Sequence, residues 1–173
     1  MNLIRSFRAL AVAALALAAA AAGSHAAPGA ASLPAIHVDI PVALKNPKVV
    51  FNMDHLAFGG DLPVGIRTMH LLADRLAAEG TGGSIIGVFS GEAAYMTLND
   101  RAYNAARHVG TGNPYKGPLA ELMRQGVQIE ECAVSMKAHG WGNEDLLPGV
   151  KVNSGAVGRI VELVEQGYVQ IQP

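Results

Sequence analysis

The sequence lacks most of the features that would place it in a common class of binding protein. It has one cysteine, so no intramolecular disulfide can form and the fold depends on its apolar core. Its 13 basic and 14 acidic residues give a formal net charge of −1, without the basic clusters that nucleic acids and anionic membranes require. It therefore predicts neither a nucleic-acid partner nor a membrane-surface partner.

Common cofactor motifs are also missing. No G-x-G-x-x-G turn follows a predicted strand, and no Walker lysine pattern occurs, which argues against nucleotide binding. The histidines lack the paired spacings of zinc sites, and there is no Cys-x-x-Cys. We therefore predict no cofactor and no metal, and the lone thiol of Cys132 becomes the first candidate for chemistry.

The N-terminus is typical of a secretory signal peptide. Arg5 and Arg8 precede an apolar run, Ala9–Ala22, of about 14 residues, which is short of the roughly 20 that span a membrane. Ser24 and Ala26 supply the small residues of a cleavage site. A retained signal anchor is the alternative. The predicted organisation is a signal peptide over 1–26, a flexible leader over 27–46 and an α/β domain over 47–173 of a periplasmic protein, free of the membrane after cleavage.

Short apolar runs alternate with helical patterns along the rest of the chain. Five of them are predicted strands: Lys48–His55, Ser84–Ser90, Val127–Val134, Val150–Asn153 and Tyr168–Ile171. Apolar strands that alternate with helices are typical of a parallel sheet covered on both faces. The predicted fold class is therefore α/β, a three-layer sandwich with a five-stranded, mostly parallel sheet flanked by helices.

We predict the ends of the first helix and the buried face of the last. Asp61 is a favourable N-cap for the first helix, and Gly80 supplies its end. The last helix is predicted over 155–166, and apolar spacing places four side chains toward the core: Val157, Ile160, Val161 and Val164.

Right-handed crossovers bring the carboxyl ends of parallel strands to one edge of the sheet, where open α/β folds bind ligands. The residues predicted there are Asn52, Asp54, His55, Ser90, Glu92 and Cys132. Lys137 and His139 follow the cysteine in a predicted helical turn, where cations would lower the pKa of the thiol. Cys132 is equally interpretable as a small buried filler, because free cysteine is among the most buried residue types.

Two further residues deserve a functional interpretation. His55 beside Asp54 is a candidate for acid–base chemistry or metal binding. A metal or haem-related site that uses His55 or His139 with Cys132 is a further hypothesis. Trp141, between two glycines, is a candidate lid or subunit contact, although a surface plug is an equal alternative.

Three segments together resemble the DsrE/DsrF-like family: Gly126-Val127 before the strand that ends at Cys132, Asp145-Leu-Leu-Pro-Gly149-Val, and Gly167-Tyr168. The resemblance covers about Lys48 to Pro173. It implies a five-stranded parallel α/β fold, a homo-oligomer (a trimer or hexamer), and a persulfide on Cys132 in sulfur relay.

The well-understood relay members are cytoplasmic, whereas this chain carries an export signal. The expected role is therefore the handling of thiosulfate, sulfide or thiols outside the cytoplasm, with a small sulfur compound or a thiol-bearing protein as partner. The alternative is a non-enzymatic oligomeric binding module in which the cysteine is structural.

Overall fold

The computed structural model describes residues 35–173, and its central feature is a parallel β-sheet. In chain order the strands are β1 (Lys48–Met53), β2 (Phe58–Gly59), β3 (Leu62–Pro63), β4 (Ser84–Phe89), β5 (Gln128–Cys132), β6 (Lys151–Asn153) and β7 (Val169–Ile171). The α-helices are α1 (Val64–Ala78), α2 (Asp100–Arg107), α3 (Lys116–Arg124), α4 (Ala133–His139) and α5 (Ala156–Glu165). Short 3-10 helices span Gly91–Thr97 and Asn143–Asp145.

Five strands form the main sheet in the order β6-β5-β4-β1-β7, and all of their pairings are parallel. Strand β4 pairs with β1 from Ser84 to Phe89 and with β5 from Ile86 to Phe89. Because the strands are parallel, their carboxyl ends share one edge. The predicted fold class is confirmed.

Helices cover both faces of the sheet, as the apolar strands require. On one face, α1, α3, α4 and the Gly91–Thr97 helix pack against a core that includes Phe51, Phe89 and Ile129. On the other face, α5 packs Ile160 and Leu163 against a smaller cluster with members on three strands: Val50, Ile86, Val88 and Cys132. The cysteine therefore belongs to the layer that α5 covers.

The prediction that Asp61 caps the first helix is wrong. Residues Phe58–Gly59 and Leu62–Pro63 form a two-stranded hairpin whose turn contains Gly60, with a positive φ of 74°. Helix α1 starts three residues later, with Pro63 at its N-cap position and no side-chain capping bond. The fixed φ of proline suits this entry into the helix.

The predicted inward face of the last helix is also partly wrong. Ile160 is buried as expected, and Ala156 and Leu163 are buried with it. Val157, by contrast, is 81 % exposed, and Val161 and Val164 are also exposed. Helix α5 therefore buries one side and presents a row of valines to solvent.

Residues 1–34 lie outside the described residues, so the predicted signal peptide and the first part of the predicted leader remain predictions. Residues 35–41 form the described part of a separate N-terminal unit, and Val42–Pro173 form the second unit. Neither a helix nor a strand occurs between residues 35 and 46. Within the part of the chain that the structure describes, no helix is long and apolar enough to cross a membrane.

Candidate functional site

Cys132 lies where the starts of two helices meet the end of a strand. It is the last residue of β5 and occupies the N-cap position of α4. Its Sγ atom accepts a hydrogen bond of 3.3 Å from the backbone N–H of Ala156, the first residue of α5. The first N–H groups of a helix have no partner within the helix and carry partial positive charge, so both helices favour a negative charge on this sulfur.

Backbone groups account for the acidity of the thiol. Burial raises the pKa of Cys132, but hydrogen bonds from the N–H groups of Ser135, Ala156 and Val134 and from the Ser135 hydroxyl outweigh it, and the pKa falls below its ordinary value. Hydrogen bonds to the charged form of a group favour that form. The pKa is therefore lowered by hydrogen bonds from peptide N–H groups and from the Ser135 hydroxyl, whereas the sequence had suggested the cations Lys137 and His139.

The sulfur is buried but borders a cavity. Cys132 is 4 % exposed, and it lines a cavity of about 290 Å³ together with Ser90, Ser135, Gly155 and Val157. Ser90 follows β4 directly, so the parallel topology brings it beside the end of β5 as expected. A small molecule in this cavity would lie beside Cys132.

A second cavity, of about 340 Å³, contains two other predicted residues. Glu92 and His139 line it with Trp141, whose ring stacks on that of His139 at 4.4 Å between centroids. Gly91 lines both cavities, and its N–H donates a 3.1 Å hydrogen bond to the Ser135 hydroxyl. The two cavities are therefore neighbours on either side of Gly91, the first residue of the 3-10 helix that follows β4.

Tyr95 and Arg107 are among the residues of this second cavity that the sequence did not indicate. Tyr95 comes from the 3-10 helix, and Arg107 from the end of α2 places its guanidinium over the Tyr95 ring, 4.3 Å from the centroid. Lys137, which the sequence placed near the thiol, is exposed on the last turn of α4 and lines neither cavity. Arg107 therefore brings a cation to this end of the sheet.

The predicted residues at the end of β1 form a separate polar network. Asp54 Oδ1 lies 2.7 Å from His55 Nδ1, and this hydrogen bond is the largest cause of the lowered pKa of Asp54. Asn52 donates to Gln172 Oε1 at 2.7 Å, and the Gln172 amide donates to Asp54 Oδ1 at 2.7 Å. None of the three predicted residues lines the Cys132 cavity. Across residues 35–173, no three His, Cys, Asp or Glu side chains cluster closely enough to hold a metal ion.

Glu131, which the sequence did not single out, lies beneath the cysteine on the opposite face of the sheet. The Glu131 side chain is fully buried, and burial raises the pKa of Glu131 to about 8, outweighing its hydrogen bonds with the Thr97 hydroxyl and with the Cys132 N–H. Oε1 accepts the Cys132 N–H at 3.0 Å, and Oε2 lies 2.8 Å from the Thr97 hydroxyl oxygen. The carboxyl group thereby holds the backbone of the cysteine.

Glu130 fixes the start of α5 over the cysteine. Its carboxylate, 3 % exposed, receives hydrogen bonds from Arg159 Nε at 3.0 and 3.1 Å and from Nη2 at 2.9 Å. Burial raises the pKa of Glu130, but Arg159 and two amide side chains reverse this, and the pKa is lowered. Because Arg159 lies one turn after Ala156, the ion pair positions the N–H that contacts the sulfur.

One sequence signal could have revealed the contribution of α5. In a parallel sheet, the helix after β6 starts at the same edge at which β5 ends. The turn residues Asn153, Ser154 and Gly155 mark that start, so Ala156 could have been placed near Cys132. By contrast, the contact between Arg107 and the Tyr95 ring depends on how α2 packs against the 3-10 helix before it, and no local sequence pattern specifies that packing.

The fold and the site define a parallel α/β protein with a thiol of lowered pKa at the carboxyl edge of its sheet. The model of the DsrE/DsrF-like family matches residues 69–173, which is more than half of the chain. The chain belongs to the DsrE/DsrF-like family.

Two solved structures are similar to this chain. The first is MTH1491 from Methanobacterium thermoautotrophicum, a protein of unknown function, with 27% identity, a TM-score of 0.55 and coverage of 74% of this chain and all of that one. The second is the ychN protein from E. coli, with 15% identity, a TM-score of 0.52 and coverage of 73% of this chain and 99% of that one. The likeness to the ychN protein concerns the fold alone. No curated protein matches the chain.

The ion pair of Glu130 and Arg159 predicts a large effect on stability. Replacing Arg159 with Ala leaves a buried carboxylate without its cation, which costs about 3 kcal/mol of the free energy of unfolding, the lower end of the usual range because Arg159 is 22 % exposed. The lowered pKa of Glu130 means that its stabilisation is present above its unfolded pKa and is lost as the pH falls through its folded pKa. The difference between the variant and wild type should therefore be largest at neutral pH and narrow in acid.

Urea unfolding at several pH values measures this difference. Arg124→Ala is the matched control, because Arg124 pairs with Glu121 on the exposed surface of α3 and its loss should change stability much less. Equal losses for the two variants at neutral pH would show that the buried pair does not hold α5 in place.

Proposed function

We propose that this protein carries sulfane sulfur as a persulfide on Cys132. The observation that carries the proposal is the hydrogen bond from Ala156 N–H to Cys132 Sγ, in a cavity large enough for a small sulfur compound. A thiol whose pKa is lowered forms the thiolate, which is the nucleophile in sulfur exchange. Membership of the DsrE/DsrF-like family supports a role related to sulfur relay.

The step needs a sulfane-sulfur donor and no external oxidant. The Cys132 thiolate attacks the outer sulfur of thiosulfate or of a low-molecular-weight persulfide, and a new S–S bond forms on Sγ. The S–S bond of the donor breaks, and its electron pair leaves with sulfite or with the thiolate of the donor. The negative charge on the terminal sulfur of Cys132 then faces the N-termini of α4 and α5.

The second cavity gives the donor a place to bind beside the thiol. Its aromatic lining, Tyr95 and Trp141, suits an apolar body, and the Arg107 guanidinium suits a negative group such as sulfonate or carboxylate. Because Gly91 lines both cavities, a donor bound in the second cavity would lie next to the cavity of Cys132.

Intact-mass measurement after incubation with thiosulfate or polysulfide tests the proposal. The wild-type protein should gain about 32 Da, one sulfur atom, and the gain should disappear when a thiol reductant is added. The Cys132→Ser variant should gain nothing. If wild type and variant show the same change in mass, Cys132 does not carry the sulfur. The cysteine is then structural, and the alternative of a non-enzymatic binding module is favoured.

We further propose that the protein acts outside the cytoplasm as a homo-oligomer, with its domain over residues 47–173. The apolar run at the N-terminus supports export, and the exposed valines of α5 support self-association, because large apolar surfaces on soluble proteins mark interaction sites. Native mass spectrometry of protein recovered from producing cells should give a multiple of the chain mass without residues 1–26. A monomer that retains those residues would contradict both parts.

A further inference from the structure

The hydrogen bonds of the Thr97 hydroxyl bear on the protonation state of Glu131. The Thr97 hydroxyl oxygen lies 3.0 Å from the carbonyl oxygen of Ala94 and 2.8 Å from Glu131 Oε2. A carbonyl oxygen can only accept a hydrogen bond, and a hydroxyl group has one proton to donate. If that proton goes to Ala94, the contact with Glu131 needs a proton from the carboxyl group itself.

We propose that Glu131 is a positioning residue for Cys132 that acts as a neutral carboxylic acid, donating its own proton to Thr97 while it accepts the Cys132 N–H. A relay then runs in one direction, from Glu131 Oε2 to Thr97 and from Thr97 to the Ala94 carbonyl. The carbonyl oxygen Oε1 receives the N–H of Cys132. Every polar contact of the carboxyl group is thereby satisfied with one proton.

Among residues 35–173, no cation lies where it would stabilise a carboxylate at this position. The strands on either side place Phe89 and Val152 opposite Glu131, and the 3-10 helix presents Thr97. The other charged side chain of the strand, Glu130, points to the opposite face and pairs with Arg159. Six titratable side chains of the 3-10 helix, α3 and α4 are exposed or partly exposed to solvent: Glu92, Lys116, Glu121, Arg124, Lys137 and His139. Tyr95 of the 3-10 helix packs with Tyr103 and Tyr115.

The consequence concerns the charge on the sulfur. The Cys132 side chain is the titratable neighbour whose negative charge opposes ionisation of Glu131, and the opposition is mutual. While Glu131 holds its proton, it adds no negative charge beside that of Cys132. A carboxylate there would place a second negative charge next to the thiolate or persulfide and disfavour it. The neutral acid therefore orients the cysteine backbone without adding a second charge.

Carbon-13 NMR titration of the Glu131 carboxyl group in the full chain tests the inference. We expect Glu131 to titrate several pH units above the ordinary value of about 4.3, and the midpoint to fall in Cys132→Ser, which removes the opposing thiolate. Glu131→Gln assigns the signal. It is also the matched mimic of the neutral acid, because its amide can donate to Thr97 and accept from Cys132 at every pH. An ordinary midpoint in wild type, or one unchanged by Cys132→Ser, overturns the proposal.

The pH profile of Cys132 alkylation gives a second readout that a purely structural role would not change. Wild type and Glu131→Gln should agree at neutral pH, and only wild type should show a second inflection at alkaline pH, where Glu131 ionises. Identical profiles over the whole range would contradict the inference. The consequence for sulfur chemistry rests on the proposed function, but the two fail separately: an ordinary Glu131 titration can accompany a normal gain of sulfur, and a neutral Glu131 can accompany none.

Discussion

The hydrogen bond from Ala156 N–H to Cys132 Sγ is the interaction on which the rest of the site depends. It exists because β5 and β6 run parallel, so that β5 ends at the same edge of the sheet at which the helix after β6 begins. It makes the sulfur an acceptor for peptide dipoles, which favour the thiolate. Glu130 and Arg159 hold α5 in the position that the bond requires.

Strand β5 gives its last three residues three different roles through the alternation of a β-strand. Glu130 and Cys132 point toward α5, where one binds Arg159 and the other accepts the Ala156 N–H. Glu131 points to the opposite face, where its two oxygens form hydrogen bonds with the Thr97 hydroxyl and with the Cys132 N–H. Two adjacent buried carboxyl groups therefore have opposite pKa shifts, lowered for Glu130 by a cation and raised for Glu131 by burial.

The order of the elements could be predicted from sequence because the central strands, β1 and β4, are nearly continuous apolar runs between helical patterns. Side-chain environments were harder to predict. Asp61 has the chemistry of an N-cap but lies in a hairpin turn, and Val157 has the spacing of a core residue but is exposed on α5. The carboxyl-edge position of Cys132 and Ser90 followed from topology alone. The dipoles that act on the thiol depend on the start of α5, which is 24 residues away in sequence.

The ultraviolet absorbance of the thiolate, measured against pH as the difference between wild type and Cys132→Ser, tests the central claim most directly. In the folded protein, the thiolate should form below the ordinary thiol pKa of about 8.5, and unfolding in urea should return the midpoint to that value. A midpoint at or above the ordinary value in the folded protein would contradict the account, because burial would then outweigh the dipoles of α4 and α5.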